Sequence, residues 1–407
     1  MKVRAYERLL RYVKVQTTSD DESGTLPSTQ GQFDLAYMLA EEMREMGICD
    51  ARVDENCYVY GSIPAAEGYE QRTCIGFISH MDTSPDASGK DVQPVLWKDY
   101  DGTDIVLKNG RILSADLFPH LKTLKGRTLI TSDGTTLLGA DDKAGIAEIM
   151  TMAEKVIISC MPHGRIAIAF TPDEEIGHGA DALDLNAFGA EYAYTVDGGA
   201  EDELEYENFN AAGAVYRIHG VSVHPGDAKG VMINAALVAN EIVSMLPSAE
   251  TPAHTEGREG FYHVTGISGD VEQAEVSLII RDHSEDIFKA RIETVKMIEK
   301  VLNERYGDGT VILEVHEQYR NMIEKIRPHM HLIENARSAM RDAGLIPKEI
   351  PVRGGTDGAR LSWRGLPCPN LGTGGYAFHG PYEHITAEGM DRAVDVILGI
   401  VKRYAES

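Results

Sequence analysis

Cysteine is scarce. The chain has five in 407 residues (Cys49, Cys57, Cys74, Cys160, Cys368), and they are scattered and odd in number. No two form a CxxC pair, so a disulfide framework is not expected and reduced thiols in the cytoplasm fit better. Long apolar runs are missing too. No stretch of about 18 uncharged apolar residues exists, so no membrane-spanning helix is expected. The opening MKVRAYERLLRYVKV is charged throughout and has no apolar core, so no signal peptide is expected there. Basic residues are in deficit, 39 against 64 acidic, for a net charge of −25. Such a surface repels phosphate backbones and anionic lipid, which disfavours nucleic-acid and membrane partners. The plainest use of this charge is solubility. HExxH, GxSxG and P-loop strings are absent, as are fixed-period repeats and low-complexity tracts. GTGGYA at 372–377 fits a loose dinucleotide pattern, but no βαβ start precedes it and no clear helix follows.

What is present is an ordinary globular composition, 43% hydrophobic and 25% charged, enough for a large core. At about 150 residues per domain, the length points to two or three domains. Residues 31–46 place Leu35, Leu39, Met43 and Met46 at helical spacing, and Gly47 follows as a stop. Short apolar runs at 74–79, 165–170 and 192–196 read as buried strands, with a helix expected over 144–158. This alternation indicates an α/β layer with a largely buried sheet. From about 209 the texture changes. Strands are expected at 213–219, 261–267, 274–281 and 310–317, and helices at 231–246 and 286–305. That order is β-α-β-β-α-β, the ferredoxin-like split unit. The expected organisation is a catalytic α/β domain in two parts, 1–208 and 321–407, with an α+β domain inserted at 209–320.

Four strings look chemical, and the first, third and fourth directly follow an expected strand, where ligands bind in open α/β sheets. His80-Met81-Asp82 puts two side chains on one face of an extended chain. A neutral His is a good metal ligand, and a neighbouring carboxylate can take its second ring proton. Alone, the triplet reads as a turn with a solvated Asp. Asp141-Asp142-Lys143 brings two carboxylates together, costly unless cations or helix amides neutralise them. One of them capping a helix is an equal reading. Glu174-Glu175 can divide labour, one holding metal and the other removing a proton from water; the plain alternative is an acidic loop with Asp173. Asp197 ends the next strand. A second imidazole comes from His379 or His384, and spacing does not choose between them. Two imidazoles and three or more carboxylates suit two metals sharing a bridge better than one.

Taken together, SHMDTSPD, LLGADDKAGIAEI, FTPDEEIGHGA, YTVDGG, VHPGDAKG, IIRD, RGGTDGA and GLPCPNLGTGGYAFHG resemble the peptidase T family of the di-zinc aminopeptidase, carboxypeptidase and deacylase superfamily. The resemblance spans about residue 76 to 380 in order and spacing. It implies a cofactor of two Zn2+ ions held by His80, Asp141, Glu175, Asp197 and His379, with Asp141 as the bridge. It implies that Asp82 orients His80, that Glu174 is the general base, and that His224 stabilises the oxyanion. Asn234, Arg281 and Arg353 resemble residues that hold the substrate backbone or carboxylate. Read without the family, His224 is a loop histidine beside a proline. The inserted domain resembles one that closes over the site as a lid and dimerises. Pro381-Tyr382 departs from the family pattern and bears on the pocket beside His379.

The expected activity is release of the N-terminal residue from tripeptides in the cytoplasm, with a short peptide as partner and a homodimer as the assembly. A related di-zinc deacylase or carboxypeptidase would use the same metal set, and a non-catalytic peptide-binding module is the alternative of another class. An aminopeptidase also needs an acidic group for the free ammonium; Asp357 and Glu383 are the carboxylates near the Gly-rich loop.

Overall fold

The computed structural model describes residues 3–406. Met1, Lys2 and Ser407, at the ends of the first and last expected domains, lie outside the described residues, as does the start of the charged N-terminal run. The chain forms two compact units. One comprises Met1–Tyr206, Glu324–Ile350 and Thr356–Ser407; the other comprises Glu207–Ile323 and Pro351–Gly355.

The first unit is built on an eight-stranded mixed sheet. Its order is Arg52–Val53, Val59–Ile63, Ile166–Thr171, Ile75–His80, Tyr192–Gly198, Asn370–Gly372, Glu203–Glu205 and Lys348–Glu349. The strands from Ile166–Thr171 to Asn370–Gly372 run parallel. Every residue of Ile75–His80 and Ile166–Thr171 is buried, which explains why these segments read as continuous apolar runs rather than alternating ones. The expected helix at 144–158 is observed as Ala140–Ser159. It packs on Ile75–His80 and against helices Ala5–Tyr12 and Ala387–Glu406. A Cβ on Gly145 would lie 1.8 Å from the carbonyl oxygen of Val196. Only glycine lets this helix press so closely on strand Tyr192–Gly198. The 31–46 pattern forms helix Gly31–Glu45, and Gly47 follows at φ +98°.

A second, four-stranded sheet joins Gly375–Tyr376, His384–Thr386, Leu129–Thr131 and Val95–Trp97. The sequence gives no sign of it, because strands of two or three residues are too short to show alternation.

In the other unit, strands Asn210–His219, Phe261–Gly269, Gln273–Asp282 and Val311–Tyr319 alternate with helices Ala235–Met245 and Glu285–Tyr306. In space the strands run second, third, first, fourth, all antiparallel, the arrangement of a ferredoxin-like unit. Val276, Leu278 and Ile280 pack with Ile242, Val295 and Leu302 beneath the sheet. The fold class is the expected one, a mixed α/β unit with a ferredoxin-like α+β unit in the middle of its chain.

Candidate functional site

Strand ends deliver the first part of the site. His80 closes Ile75–His80, and Asp197 lies near the end of the parallel neighbour Tyr192–Gly198. Asp141 lies in the first turn of Ala140–Ser159, two residues after Gly139 at φ +78°. His80 Nε2 lies 3.0 Å from Asp141 Oδ1 and 3.3 Å from Asp197 Oδ1. Loops deliver the second part. His379 Nε2 lies 3.2 Å from Asp141 Oδ2 and 3.0 Å from Glu175 Oε2. The two oxygens of Asp141 thus face different imidazoles. His80, Asp141 and Asp197 form one group whose ligand atoms lie within 4.8 Å of one another, and Asp141, Glu175 and His379 form another.

Other buried carboxylates hold the backbone of these ligands. Asp82, fully buried, accepts from the amides of Glu174 (3.0 Å) and Glu175 (3.1 Å) and faces His80 Nδ1 at 3.3 Å. It fixes the double-glutamate turn and orients the imidazole together. Asp142 accepts from the His80 amide with one oxygen and from the Gly145 amide with the other. One Asp of the pair thus faces the imidazoles, and the other accepts from the amide three residues on, as a helix cap does. Asp173, at φ +53°, accepts from the Ser28 amide and the Gln32 side chain. The Asp197 amide donates to the side-chain oxygen of Asn370, 3.0 Å away. His384, the rival imidazole, faces elsewhere: its Nδ1 donates to the Tyr382 carbonyl, and its Nε2 meets His120 Nε2 at 2.8 Å.

The electrostatics call for cations. Six carboxyl groups, those of Asp82, Asp141, Asp142, Glu174, Glu175 and Asp197, surround two imidazoles. Burial lifts Asp197 to about 7 against the pull of His80. Burial, then the charge of Asp197, raises Glu174 well above the usual carboxylate range. Hydrogen bonds donated to Asp141 and Glu175 push His379 up to about 11. Glu175 Oε1 is buried with no hydrogen-bond partner among the described residues. A buried oxygen without a donor, beside carboxylates packed around imidazole nitrogens, is the donor set that divalent cations satisfy. The residues present fit a metal pair. Glu174 belongs to neither ligand group.

The remaining expected residues lie in the second unit. His224 is exposed, and its Nδ1 accepts from the Gly226 amide at 3.1 Å. Asn234 caps helix Ala235–Met245, accepting from the Leu237 amide. Arg281 is buried, donates to the carbonyls of Ala212 and Ile280 and to Gln318, and lies over the Tyr319 ring. Arg353 donates to Thr255, Gly257 and Glu259 and sits over the rings of Phe209 and Phe261. The two carboxylates considered for an ammonium are already engaged: Asp357 accepts from Thr171 Oγ1 at 2.9 Å, and Glu383 from three backbone amides.

Known proteins extend this picture. Residues 206–310 match the family model of the peptidase dimerisation domain. The fold is shared with the aminopeptidase PepT of Bacillus cereus, 22% identical with a TM-score of 0.78, covering 99% of this chain and 98% of that one. It is shared at a greater distance with a dinuclear metal-binding peptidase of the M20 family from Bacillus subtilis, 13% identical with a TM-score of 0.65, covering 99% and 98%. A peptidase T of Clostridium perfringens strain 13 is 55% identical over 404 residues, 99% of each chain. At that identity over nearly the full length, this chain belongs to the peptidase T family.

Proposed function

We propose that this peptidase is a two-zinc aminopeptidase that releases the N-terminal residue from tripeptides. The observation that carries the reading is the pair of ligand groups sharing Asp141, with Glu174 beside them and outside both. His80 and Asp197 would hold one Zn2+, Glu175 and His379 the other, and Asp141 both. When bound, the pair supplies Lewis-acid chemistry, lowering the pKa of water and polarising the scissile carbonyl.

The chain's own groups do the rest. Asp82 keeps His80 oriented and its Nε2 free to bind. A carboxylate oxygen of Glu174 takes a proton from the attacking water and returns it to the leaving amine. Its burial suits this task, because a raised affinity brings its proton exchange nearer to neutral pH. In His224 the Nδ1 accepts a backbone hydrogen bond, so the neutral ring carries its proton on Nε2 and can donate to the oxyanion. Asn234, Arg281 and Arg353 are proposed to hold the peptide backbone and carboxylate.

The inserted unit is proposed to close over the site and to join two copies of the chain, a reading supported by its match to a dimerisation family. Light scattering on the purified protein tests the dimer, and a monomeric mass would reject it. Five free cysteines fit work in a reducing cytoplasm. No helix among the described residues is long and apolar enough to cross a membrane.

The deciding experiment compares a free tripeptide with its dipeptide and tetrapeptide homologues and its N-acetyl form. Each is assayed before and after chelation and again with zinc restored. Cleavage of the free tripeptide alone, lost on chelation and recovered with zinc, is expected. Cleavage of the acylated form would establish a deacylase instead. Binding without turnover would establish the non-catalytic module. Full-length likeness to peptidase T favours neither.

A further inference from the structure

Glu383 has no role in the chemistry above, yet it is among the most constrained carboxylates in the molecule. It is 1% exposed. Its Oε2 accepts from the amides of Leu138 (2.7 Å) and Gly139 (2.8 Å), and its Oε1 from that of Asp141 (3.0 Å). Those amides form the turn that enters helix Ala140–Ser159. Converging backbone N–H groups make an anion nest, and here a side chain from far along the chain fills it. Glu383 also ends the loop that carries His379, a residue held at φ +61°. One side chain therefore ties the turn presenting Asp141 to the loop presenting His379.

We propose that Glu383 is a positioning residue for the metal centre, setting the shared carboxylate of Asp141 and holding the His379 loop in register with it. The proposal rests on the two-metal reading above. The group of Asp141, Glu175 and His379 takes two of its three ligands from segments that Glu383 joins. The group of His80, Asp141 and Asp197 takes two from strand ends held by the sheet. Removing the tie should thus weaken one metal site selectively. Glutamine is the informative replacement. It keeps the size but offers one acceptor oxygen and turns an NH2 donor toward N–H groups that need an acceptor.

The test titrates Zn2+ into the metal-free wild-type chain and into Glu383→Gln, with calorimetry for affinity and elemental analysis for stoichiometry. Two sites are expected in the wild type. In the variant the site that includes His379, identified by its loss in His379→Ala, should lose affinity by about ten-fold or more, and the site of His80 and Asp197 should lose less. Both affinities unchanged in a folded variant would overturn the proposal, even if its melting temperature fell, because that pattern marks a merely structural role. A wild type that takes up no Zn2+ would instead overturn the metal reading, and the proposal with it. Should Glu383→Gln fail to fold, Glu383→Asp, which keeps the charge on a shorter arm, is measured in the same way and should show a smaller loss at the same site. Hydrogen exchange on the metal-free wild type adds an independent check. The amides of Leu138, Gly139 and Asp141 should be strongly protected, and rapid exchange there would remove the tie altogether.

Discussion

The two ligand groups around Asp141 are made differently. His80 and Asp197 stand on adjacent parallel strands; the His80 side chain is 2% exposed and that of Asp197 10%. His379 stands on a loop in the left-handed region, with its side chain 42% exposed. A strand end needs little further support, because ladder hydrogen bonds and a buried sheet already fix its direction. A loop ligand must be held by other side chains, and here Asp82 holds the Glu174–Glu175 turn while Glu383 holds the segments of Asp141 and His379. The rigidity of one half thus comes from the fold, and that of the other from specific buried carboxylates. The two halves should respond differently to substitution, pH and metal removal.

The largest effect should leave both halves intact. Glu174→Gln is expected to lower kcat by about 10³-fold while both metals stay bound, measured by steady-state kinetics and elemental analysis. Near-normal turnover would remove Glu174 from the mechanism. Next, Asp197→Ala and His379→Ala should each lose one metal, but not the same one. Cobalt substitution followed by absorption spectroscopy should show two distinct residual spectra, and identical ones would erase the distinction between the halves. Asp82→Asn touches both, since this residue orients His80 and pins the glutamate turn. A fall in metal affinity of about 10–100-fold is expected, with binding isotherms as the check.

A smaller effect concerns pH. Burial holds His384 neutral and lowers its pKa from 6.5 to about 4. The unfolded chain therefore takes up this proton first as pH falls, so stability is complete above about 6.5 and is lost between there and about 4, by up to about 3 kcal/mol. His384 lies on the strand that follows the His379 loop, so the exposed half should release its metal before the buried half does. Denaturant midpoints and metal retention across this range would show it, and simultaneous release would contradict it. Smallest is Glu148→Met. Glu148 is fully buried, both of its oxygens lack partners among the described residues, and burial raises its pKa well above the usual range. As pH rises past the unfolded value, the native state is increasingly penalised, so the apolar replacement should stabilise the chain at neutral pH by about 1–3 kcal/mol. Neither metal affinity should move.

The same division governs what could be read from the sequence. Strands 75–80, 166–171 and 192–198 were legible as apolar runs, and with them the placing of His80 and Asp197, because burial on both faces leaves a compositional trace. The β-α-β-β-α-β order was legible from periodicity over long elements. The choice between His379 and His384 was not legible from spacing and came only from the family resemblance, since both follow the same Gly-rich loop and long-range packing sends His384 toward His120. The division of labour between Asp141 and Asp142 came from the resemblance alone, because adjacent identical residues give no local clue to direction. Glu383 was visible only as a carboxylate near the loop; its partners lie some 240 residues earlier, at separations of 242, 244 and 245.

The short segment Pro351–Gly355 belongs to the ferredoxin-like unit although residues 324–350 of the other unit precede it. Its Arg353 grips the carbonyls of Thr255, Gly257 and Glu259, and the Val352 amide donates to Glu207. A gene fragment cut at residues 206–310, where the family match ends, leaves this clasp behind. On the ribosome the unit stays unfinished until residue 355 has emerged, so it is neither a continuous stretch of sequence nor an independent module of synthesis.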